Sequence, residues 1–173
     1  MKIRLDQIRD EPFTWRESLS FSLDEIDREE LAKLSPVVLV GRLTRLEKGL
    51  LLRAELEYEQ TLVCDRCLKE YVEPVAEQLD LLVEEGKPPV GSSDHTLDAE
   101  DLGVLYVENE VLDTGPLAFE QVQLGLPMKP LCRPDCPGFC PTCGADLSAG
   151  ACGCQTETTD PRWAALAALR DRL

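Results

Sequence analysis

The stretch 50-LLLRAELEYEQTLV-63 decides the fold of this chain. Within it, apolar residues hold one parity and charged residues the other: Leu52, Ala54, Leu56 and Tyr58 alternate with Arg53, Glu55, Glu57 and Glu59. A period of two predicts a β-strand with one buried face and one solvated face. Residues 37–46 predict a preceding strand, and Glu47-Lys48-Gly49 predicts the turn between them, so the two strands form an antiparallel hairpin.

A third strand is predicted over residues 71–83, where one parity is again apolar: Tyr71, Val75, Leu79, Leu81 and Val83. Pro74 lacks the backbone N–H that a sheet ladder needs, so this end of the strand is not expected at the centre of a sheet. Residues 104–107 predict one more short strand.

Two helices are predicted inside this β-rich part. Ser22-Leu23-Asp24-Glu25 matches a capping box, which predicts a helix to about Leu34 that Pro36 ends. The resulting fold class is α+β, with an antiparallel sheet made of the hairpin plus a third strand, a few helices and a C-terminal cysteine-rich zinc-binding segment.

The second helix is predicted to begin at a cap formed by Asp113 or Thr114, with Pro116 in its first turn. It would run toward Gly125 and Pro127, because glycine and proline mark helix ends. Its predicted buried side chains are Phe119, Val122 and Leu126.

The composition predicts two parts of the chain. Residues 1–127 predict an α+β domain with a mobile acidic loop near 86–103, which is rich in Gly, Pro, Ser and Asp. The one histidine, His95, falls in this loop and is expected to be solvated. Residues 128–173 predict a cysteine-rich zinc clasp followed by an amphipathic helix with Trp163, Leu166, Leu169 and Leu173. This helix either packs on the domain or binds a partner.

The charge of the chain is strongly acidic. Acidic residues outnumber basic ones 33 to 18, a formal net charge of −15, which disfavours a stand-alone nucleic-acid binder. Residues 70–125 carry 14 acidic residues against the single Lys87, so this segment is either a solvated edge or a docking surface for a basic partner. No stretch has the apolar length of a signal peptide or a membrane span, so we expect a cytoplasmic protein with no membrane partner.

Eight cysteines lie in two clusters. In a reducing cytosol, clustered thiols favour metal binding over disulfides. Cys64-Asp65-Arg66-Cys67 supplies half of a tetrahedral zinc site. In the second cluster, Cys140-Pro141-Thr142-Cys143-Gly144 has the form of a zinc knuckle, with a proline that stiffens the turn and a glycine free to take a positive φ.

The economical partition of these cysteines is two sites of four thiolates each. One is a local clasp made of Cys140, Cys143, Cys152 and Cys154. The other ties the C-terminal segment to the sheet and is made of Cys64, Cys67, Cys132 and Cys136. We therefore predict two Zn²⁺ ions per chain. The alternative is one ion, in the local clasp, with the other thiols unliganded.

No enzyme is predicted. The Cys136, Cys140 and Cys143 spacing resembles that of iron–sulfur radical enzymes, but too few residues follow it for the barrel those enzymes carry. A redox dithiol at Cys64 and Cys67 would need a βαβ setting, whereas this pair lies between strands that are predicted to be antiparallel. A nucleophilic cysteine would need an orienting base, and no phosphate-binding loop or paired-carboxylate motif stands out.

Four basic residues near the knuckles form a candidate contact for RNA or an acidic partner: Arg66, Lys69, Lys129 and Arg133. A zinc ion with four thiolates carries a net charge of about −2, which offsets these cations. Direct RNA binding is therefore the second hypothesis rather than the first.

The phrase LVCDRCLKEY, the later LPMKPLCRPDCPGFCPTCGADLSAGACGC and the closing DPRWAALAALRDRL resemble the bacterial YceD family of large ribosomal RNA subunit accumulation proteins. Cys64 and Cys67 match the most characteristic element of that family. The resemblance spans most of the chain. It implies a small α+β protein that supports accumulation or processing of 23S rRNA in large-subunit assembly and catalyses no known reaction.

The resemblance and the residues together leave three hypotheses. The first is a ribosome biogenesis factor that acts through protein contacts, with segment 70–125 holding a basic ribosomal protein. The second is a zinc module that binds the 23S rRNA precursor directly through the four cations. The third is a thiol redox switch at Cys64 and Cys67.

Overall fold

The computed structural model describes residues 1–87 and 103–154. The predicted acidic loop with His95 lies almost entirely outside the described residues, and the predicted C-terminal helix lies outside them altogether. The division of the chain near residue 127 stays a prediction. No helix in the described part is long and apolar enough to cross a membrane.

Three long antiparallel strands form the centre of the fold: β4 (Val37–Arg45), β5 (Leu50–Val63) and β6 (Glu70–Glu85). They confirm the three predicted strands, and β5 has the predicted bounds. Residues of even number in β5, from Leu50 to Leu62, are all buried, while those of odd number are not. The alternation in the sequence therefore reports the two faces of the sheet.

Shorter strands complete two sheets: β1 (Lys2–Arg4), β2 (Phe13–Leu19), β3 (Leu31–Leu34), β7 (Val104–Val107) and β8 (Val111–Asp113). The main sheet has the order β2-β4-β5-β6-β7, and β3 pairs with the end of β5 that β4 leaves free. β1 and β8 form a separate antiparallel pair.

The predicted helix from Ser22 to Leu34 is wrong. The capping box itself forms, since the Ser22 hydroxyl accepts from the Asp24 N–H and the Glu25 carboxylate accepts from the Ser22 N–H. However, the chain makes only a 3₁₀ turn and then extends into β3, where Leu31 lies opposite Leu62. Pairing with the unpartnered end of β5 outweighs the local helix signal.

One α-helix, α1 (Thr114–Gly125), is present in the described residues, rather than the few helices predicted. Its N-cap is Asp113, whose carboxylate accepts a hydrogen bond from the Gly115 N–H. Of the two predicted caps, Asp113 and Thr114, the first is therefore confirmed. Three residues of α1 are buried in the same core as the inner face of the sheet: Leu117, Ala118 and Val122. Leu126, directly after α1, is buried there too. Phe119 is only half-buried, and its ring lies 5.4 Å from that of Phe21.

The outer edge of β6 is paired over only part of its length. β7 pairs with it in parallel at residues 82–85, and within the described residues no strand pairs with this edge from Glu70 to Leu81. Pro74 lies in that open part, opposite Glu59 of β5. The expectation from Pro74 is therefore confirmed, and the core lies on one face of a sheet whose edge is open beside the cysteines.

Candidate metal centre

The first group of sulfurs, site 1, lies where β5 gives way to β6. The Sγ atoms of its four cysteines all lie within 4.8 Å of one another: Cys64, Cys67, Cys132 and Cys136. The Cys64–Cys136 and Cys67–Cys132 sulfur distances are both 3.8 Å. A disulfide would need about 2.05 Å. Four sulfurs placed tetrahedrally at about 2.3 Å from a zinc ion would be about 3.8 Å apart, so the group fits such an ion.

Hydrogen bonds to backbone carbonyls hold the two halves of site 1 together. The Asp65 N–H donates to the Pro130 carbonyl at 2.9 Å, and the Arg66 guanidinium donates to the Cys136 carbonyl at 2.8 Å. Cys64, Cys67 and Cys136 are buried, whereas Cys132 is exposed. The segment after α1 is thus fixed beside the end of the sheet.

The second group, site 2, contains Cys140, Cys143, Cys152 and Cys154, whose Sγ atoms also lie within 4.8 Å of one another. Cys140 is buried, and the other three are exposed or half-buried. The structure therefore groups the eight sulfurs as the sequence partitions them. Each group could hold one metal ion.

The two Cys-x-x-Cys turns share one backbone geometry. The Leu68 N–H donates to the Cys64 carbonyl at 2.8 Å, and the Gly144 N–H donates to the Cys140 carbonyl at 2.8 Å. Both Leu68 and Gly144 lie in the left-handed region, with φ of 56° and 73°. The positive φ expected at Gly144 is confirmed. Leucine takes the same conformation in the first turn, at a steric cost.

The backbone around each turn favours a thiolate at its first cysteine. Burial raises the pKa of Cys64, but the N–H groups of Cys132, Cys67 and Arg66 outweigh it and lower that pKa to about 6. In site 2, the N–H groups of Cys143 and Thr142 lower the pKa of Cys140 to about 6. Since the thiolate is the form that binds metal, both turns are prepared for a cation.

Sites 1 and 2 are joined by two contacts that the sequence did not predict. A Cβ added to Gly138, which has a φ of 66°, would lie 2.6 Å from the Arg66 carbonyl oxygen, so the chain before Cys140 runs directly against the first turn. The Lys69 ammonium pairs with the Asp146 carboxylate at 2.6 Å, which lowers the pKa of Asp146 to about 2. No sequence pattern singles out Asp146.

Most of the four predicted contact cations already have partners within the chain. Arg66 donates to the Cys136 carbonyl, Lys69 pairs with Asp146, and Arg133 lies 3.5 Å from its neighbour Asp135. Lys129 has no ion-pair partner among the described residues. Arg66 and Lys69 therefore hold distant segments of this corner together, whereas the pair of Arg133 and Asp135 is local and exposed.

Comparison with known proteins gives one family. A family model described as "Large ribosomal RNA subunit accumulation protein YceD" matches residues 52–170. Uncharacterized proteins of Mycobacterium bovis and Mycobacterium tuberculosis are each 34% identical over 126 residues, which cover 72% of this chain and 58% of the relative. One of Mycobacterium leprae is 36% identical over 67 residues, covering 39% of this chain and 30% of the relative. No solved structure gives a significant match.

The chain thus spans 58% of the length of the first of these mycobacterial relatives. The family match, by contrast, covers most of this chain and includes both cysteine groups together with β6 and α1. The resemblance in the cysteine phrases is confirmed, and the chain belongs to the YceD family, which is described by the accumulation of large-subunit ribosomal RNA.

Proposed function

We propose that this protein is a non-enzymatic ribosome biogenesis factor that supports accumulation of 23S rRNA during large-subunit assembly through contacts with proteins. The family description supports the role in ribosomal RNA accumulation. The mode of action rests on the arrangement of charges and thiols in this chain.

We assign one structural Zn²⁺ ion to each cysteine group. Four protein sulfurs close a tetrahedral site and leave no position for a substrate or an activated water, which is typical of structural rather than catalytic zinc. Residues 130–154 contribute few large apolar side chains to the core. Structural zinc stabilises such segments by an apparent 10 kcal/mol or more, on the order of the whole stability of a domain.

The observation that carries the choice of a protein partner is the open edge of β6. Its residues from Glu70 to Leu81 include no basic side chain and four acidic ones, of which the last already lies 3.5 Å from Arg53 of β5: Glu70, Glu73, Glu77 and Asp80. An unpaired strand edge offers backbone donors and acceptors to a partner, and these carboxylates favour a basic one. The cations near site 1 are mostly engaged within the chain, which argues against RNA as the principal partner.

The test is deletion of the gene in its native host, with complementation by plasmid-borne variants. Loss of the protein is expected to lower the 23S to 16S rRNA ratio and to reduce free and assembled large subunits in sucrose gradients. The wild-type gene should restore both, and Cys64→Ser/Cys67→Ser should not. An unchanged 23S level after deletion would contradict the proposed function.

The partner is tested separately, with purified full-length protein and either isolated large-subunit proteins or 23S rRNA fragments. Retention of a basic ribosomal protein, weakened by Glu70→Gln/Asp80→Asn, supports a protein partner. The matched control is Lys129→Gln/Arg133→Gln, which should leave that retention intact. Retention of rRNA with a steep salt dependence that the control variant abolishes would instead support direct RNA binding.

A further inference from the structure

A polar notch lies at the open edge of β6, between β5, β6 and the C-terminal end of α1. Its volume is about 290 Å³, and the residues that line it include Gln60, Glu73, Pro74, Glu77, Gly125 and Pro127. The Tyr58 hydroxyl lies next to Gly125, one of these lining residues. A Cβ added to Gly125 would lie 2.5 Å from both the Tyr58 hydroxyl oxygen and a Glu77 carboxylate oxygen.

The register of β5 and β6 brings these groups together. Gln60 lies opposite Glu73, and Tyr58 lies opposite Val75, so Glu73 and Glu77 are the two diagonal neighbours of Tyr58 on the inner face. The Gln60 side-chain N–H donates to Glu73 Oε2 at 3.0 Å. This bond fixes the amide group, so its oxygen is left for another donor.

Two oxygen atoms of the notch are buried without a partner. Gln60 is 1% exposed and Tyr58 is 5% exposed, and within the described residues neither Gln60 Oε1 nor Tyr58 Oη has a hydrogen-bond partner. Buried polar groups are rarely left unpaired, because their loss of hydration is then uncompensated. The notch is thus set up for a group that the described residues do not supply.

The missing partner of these oxygens is expected to be a cationic hydrogen-bond donor. Gln60 Oε1 can only accept hydrogen bonds, and the half-buried Glu73 and Glu77 add negative charge. Burial, followed by the charges of Glu77 and Glu73, raises the pKa of Tyr58 to about 12. A phosphate would be repelled here. A planar guanidinium, with five N–H donors, suits a carboxylate next to an amide oxygen.

We propose that this notch binds the guanidinium group of an arginine side chain presented by a partner protein. The surroundings favour a protein over a free small cation. Leu124 and Met128, which adjoin Gly125 and Pro127 in the chain, are 76% and 93% exposed. Apolar side chains beside a charged notch are typical of a protein contact with an arginine anchor. The inference rests on the proposed function, since it names the chemistry by which a basic partner is held.

The test uses the full-length protein and a blocked pentapeptide with one arginine between glycines. Binding is followed by NMR through the Gln60 side-chain amide and the Gly125 backbone amide at low ionic strength. The expected result is saturable shifts at these two groups. The same peptide with citrulline, which has the shape of arginine without its charge, should cause none.

Two variants test the notch, each with a matched control. Glu77→Gln keeps the shape and removes one charge, and it should weaken peptide binding by about tenfold or more, the equivalent of one strong charged contact. Glu55→Gln removes the same charge from the exposed outer face of β5 and should have no such effect. Gly125→Ala should fill the notch, whereas Gly115→Ala, with only the Asp113 carboxylate at 3.5 Å, should not.

Three results would overturn the inference. The first is equal weakening by Glu55→Gln, which would indicate general attraction to an acidic protein. The second is equal binding of the citrulline peptide. The third is no binding of either peptide, which would leave only water in the notch. These results are independent of the 23S rRNA measurement. Peptide binding without an rRNA defect would contradict only the proposed function. An rRNA defect without peptide binding would contradict only this inference.

Discussion

The Sγ atoms of Cys64 and Cys136 lie 3.8 Å apart, although 72 positions separate them in the chain. Cys64 directly follows β5, and Cys136 lies beyond β6, β7, β8 and α1. A metal ion at this point would therefore tie together two segments that are 72 positions apart in the chain. Site 2 has no such reach, since its four cysteines fall within residues 140–154. The two sites should accordingly differ in what their loss does to the fold.

Metal content should separate the two sites. We expect elemental analysis of the wild-type protein to give two zinc ions per chain. Cys64→Ser/Cys67→Ser should leave one, and so should the matched pair Cys143→Ser/Cys152→Ser. Because site 1 ties the sheet to the segment after α1, the first variant should also lower the urea midpoint of the whole domain.

The site 2 variant should loosen residues 140–154 and leave β4, β5 and β6 protected in hydrogen exchange. A single zinc ion per wild-type chain, unaffected by the change at Cys64 and Cys67, would contradict site 1. In that case the redox hypothesis for this pair would gain support.

The contact between the two sites depends on Gly138. Gly138→Ala places a methyl group 2.6 Å from the Arg66 carbonyl oxygen and also strains a positive φ. Gly144→Ala strains a similar φ, but its methyl group meets nothing within 4 Å. We expect Gly138→Ala to cost about 1–3 kcal/mol of stability more than Gly144→Ala, the range for overpacking against rigid neighbours.

The measurement is urea unfolding of both variants at saturating zinc, with hydrogen exchange at residues 138–148. Gly138→Ala should also speed exchange there, because the contacts of Lys69 with Asp146 and Ser148 depend on the same approach of the two segments. Equal destabilisation by the two variants would show that backbone strain alone acts, and that the contact adds nothing.

Leu68 should be a position where glycine is better than leucine. Its φ of 56° costs a residue with a Cβ about 1–2 kcal/mol, and its side chain is 66% exposed, so little packing offsets that strain. Glycine loses part of this gain through the entropy of the unfolded chain. We expect Leu68→Gly to stabilise the protein by about 0.5–1 kcal/mol.

Leu68→Ala is the control, because it removes the side chain and keeps the strain. Denaturant midpoints of the three proteins at saturating zinc separate the two effects. If Leu68→Gly and Leu68→Ala are equally destabilising, the leucine side chain contributes contacts that its exposure does not suggest.

The sequence predicts the centre of the fold well, because β5 is long and one of its faces is charged. A period of two over residues 52–59 favours a strand over a helix, and Pro74 correctly marks an edge that is open within the described residues. The grouping of cysteines follows from counting sulfurs in sets of four. The strand period and Pro74 are local signals, and the cysteine grouping depends only on the four ligands that a zinc ion takes.

The wrong predictions concern segments whose structure depends on residues far away in the sequence. The capping box at Ser22 forms, yet the predicted helix does not follow it. Instead Leu31 pairs with the end of β5 that β4 leaves unpaired, and no local sequence pattern predicts this pairing. The strand β2 was missed although Phe13, Trp15 and Leu19 share one parity, a signal that could have found it. Gln60 and Gly125 meet in the notch only through the packing of α1 on the sheet.

Tyr58 offers a test by pH. Its buried hydroxyl has no hydrogen-bond partner among the described residues, so Tyr58→Phe should raise stability at neutral pH by about 1 kcal/mol. Burial and the charges of Glu77 and Glu73 raise the pKa of Tyr58 from 10.0 to about 12. The fold therefore disfavours ionisation of the phenol, so this group does not reduce the stability of the protein below pH 10 and reduces it progressively as the pH rises toward 12. Between pH 9 and pH 11 the wild-type protein should lose about 1 kcal/mol more than Tyr58→Phe in urea unfolding. Parallel losses in the two proteins would mean that the phenol ionises in the fold as it does in the unfolded chain, and that neither its burial nor the nearby carboxylates disfavour the phenolate.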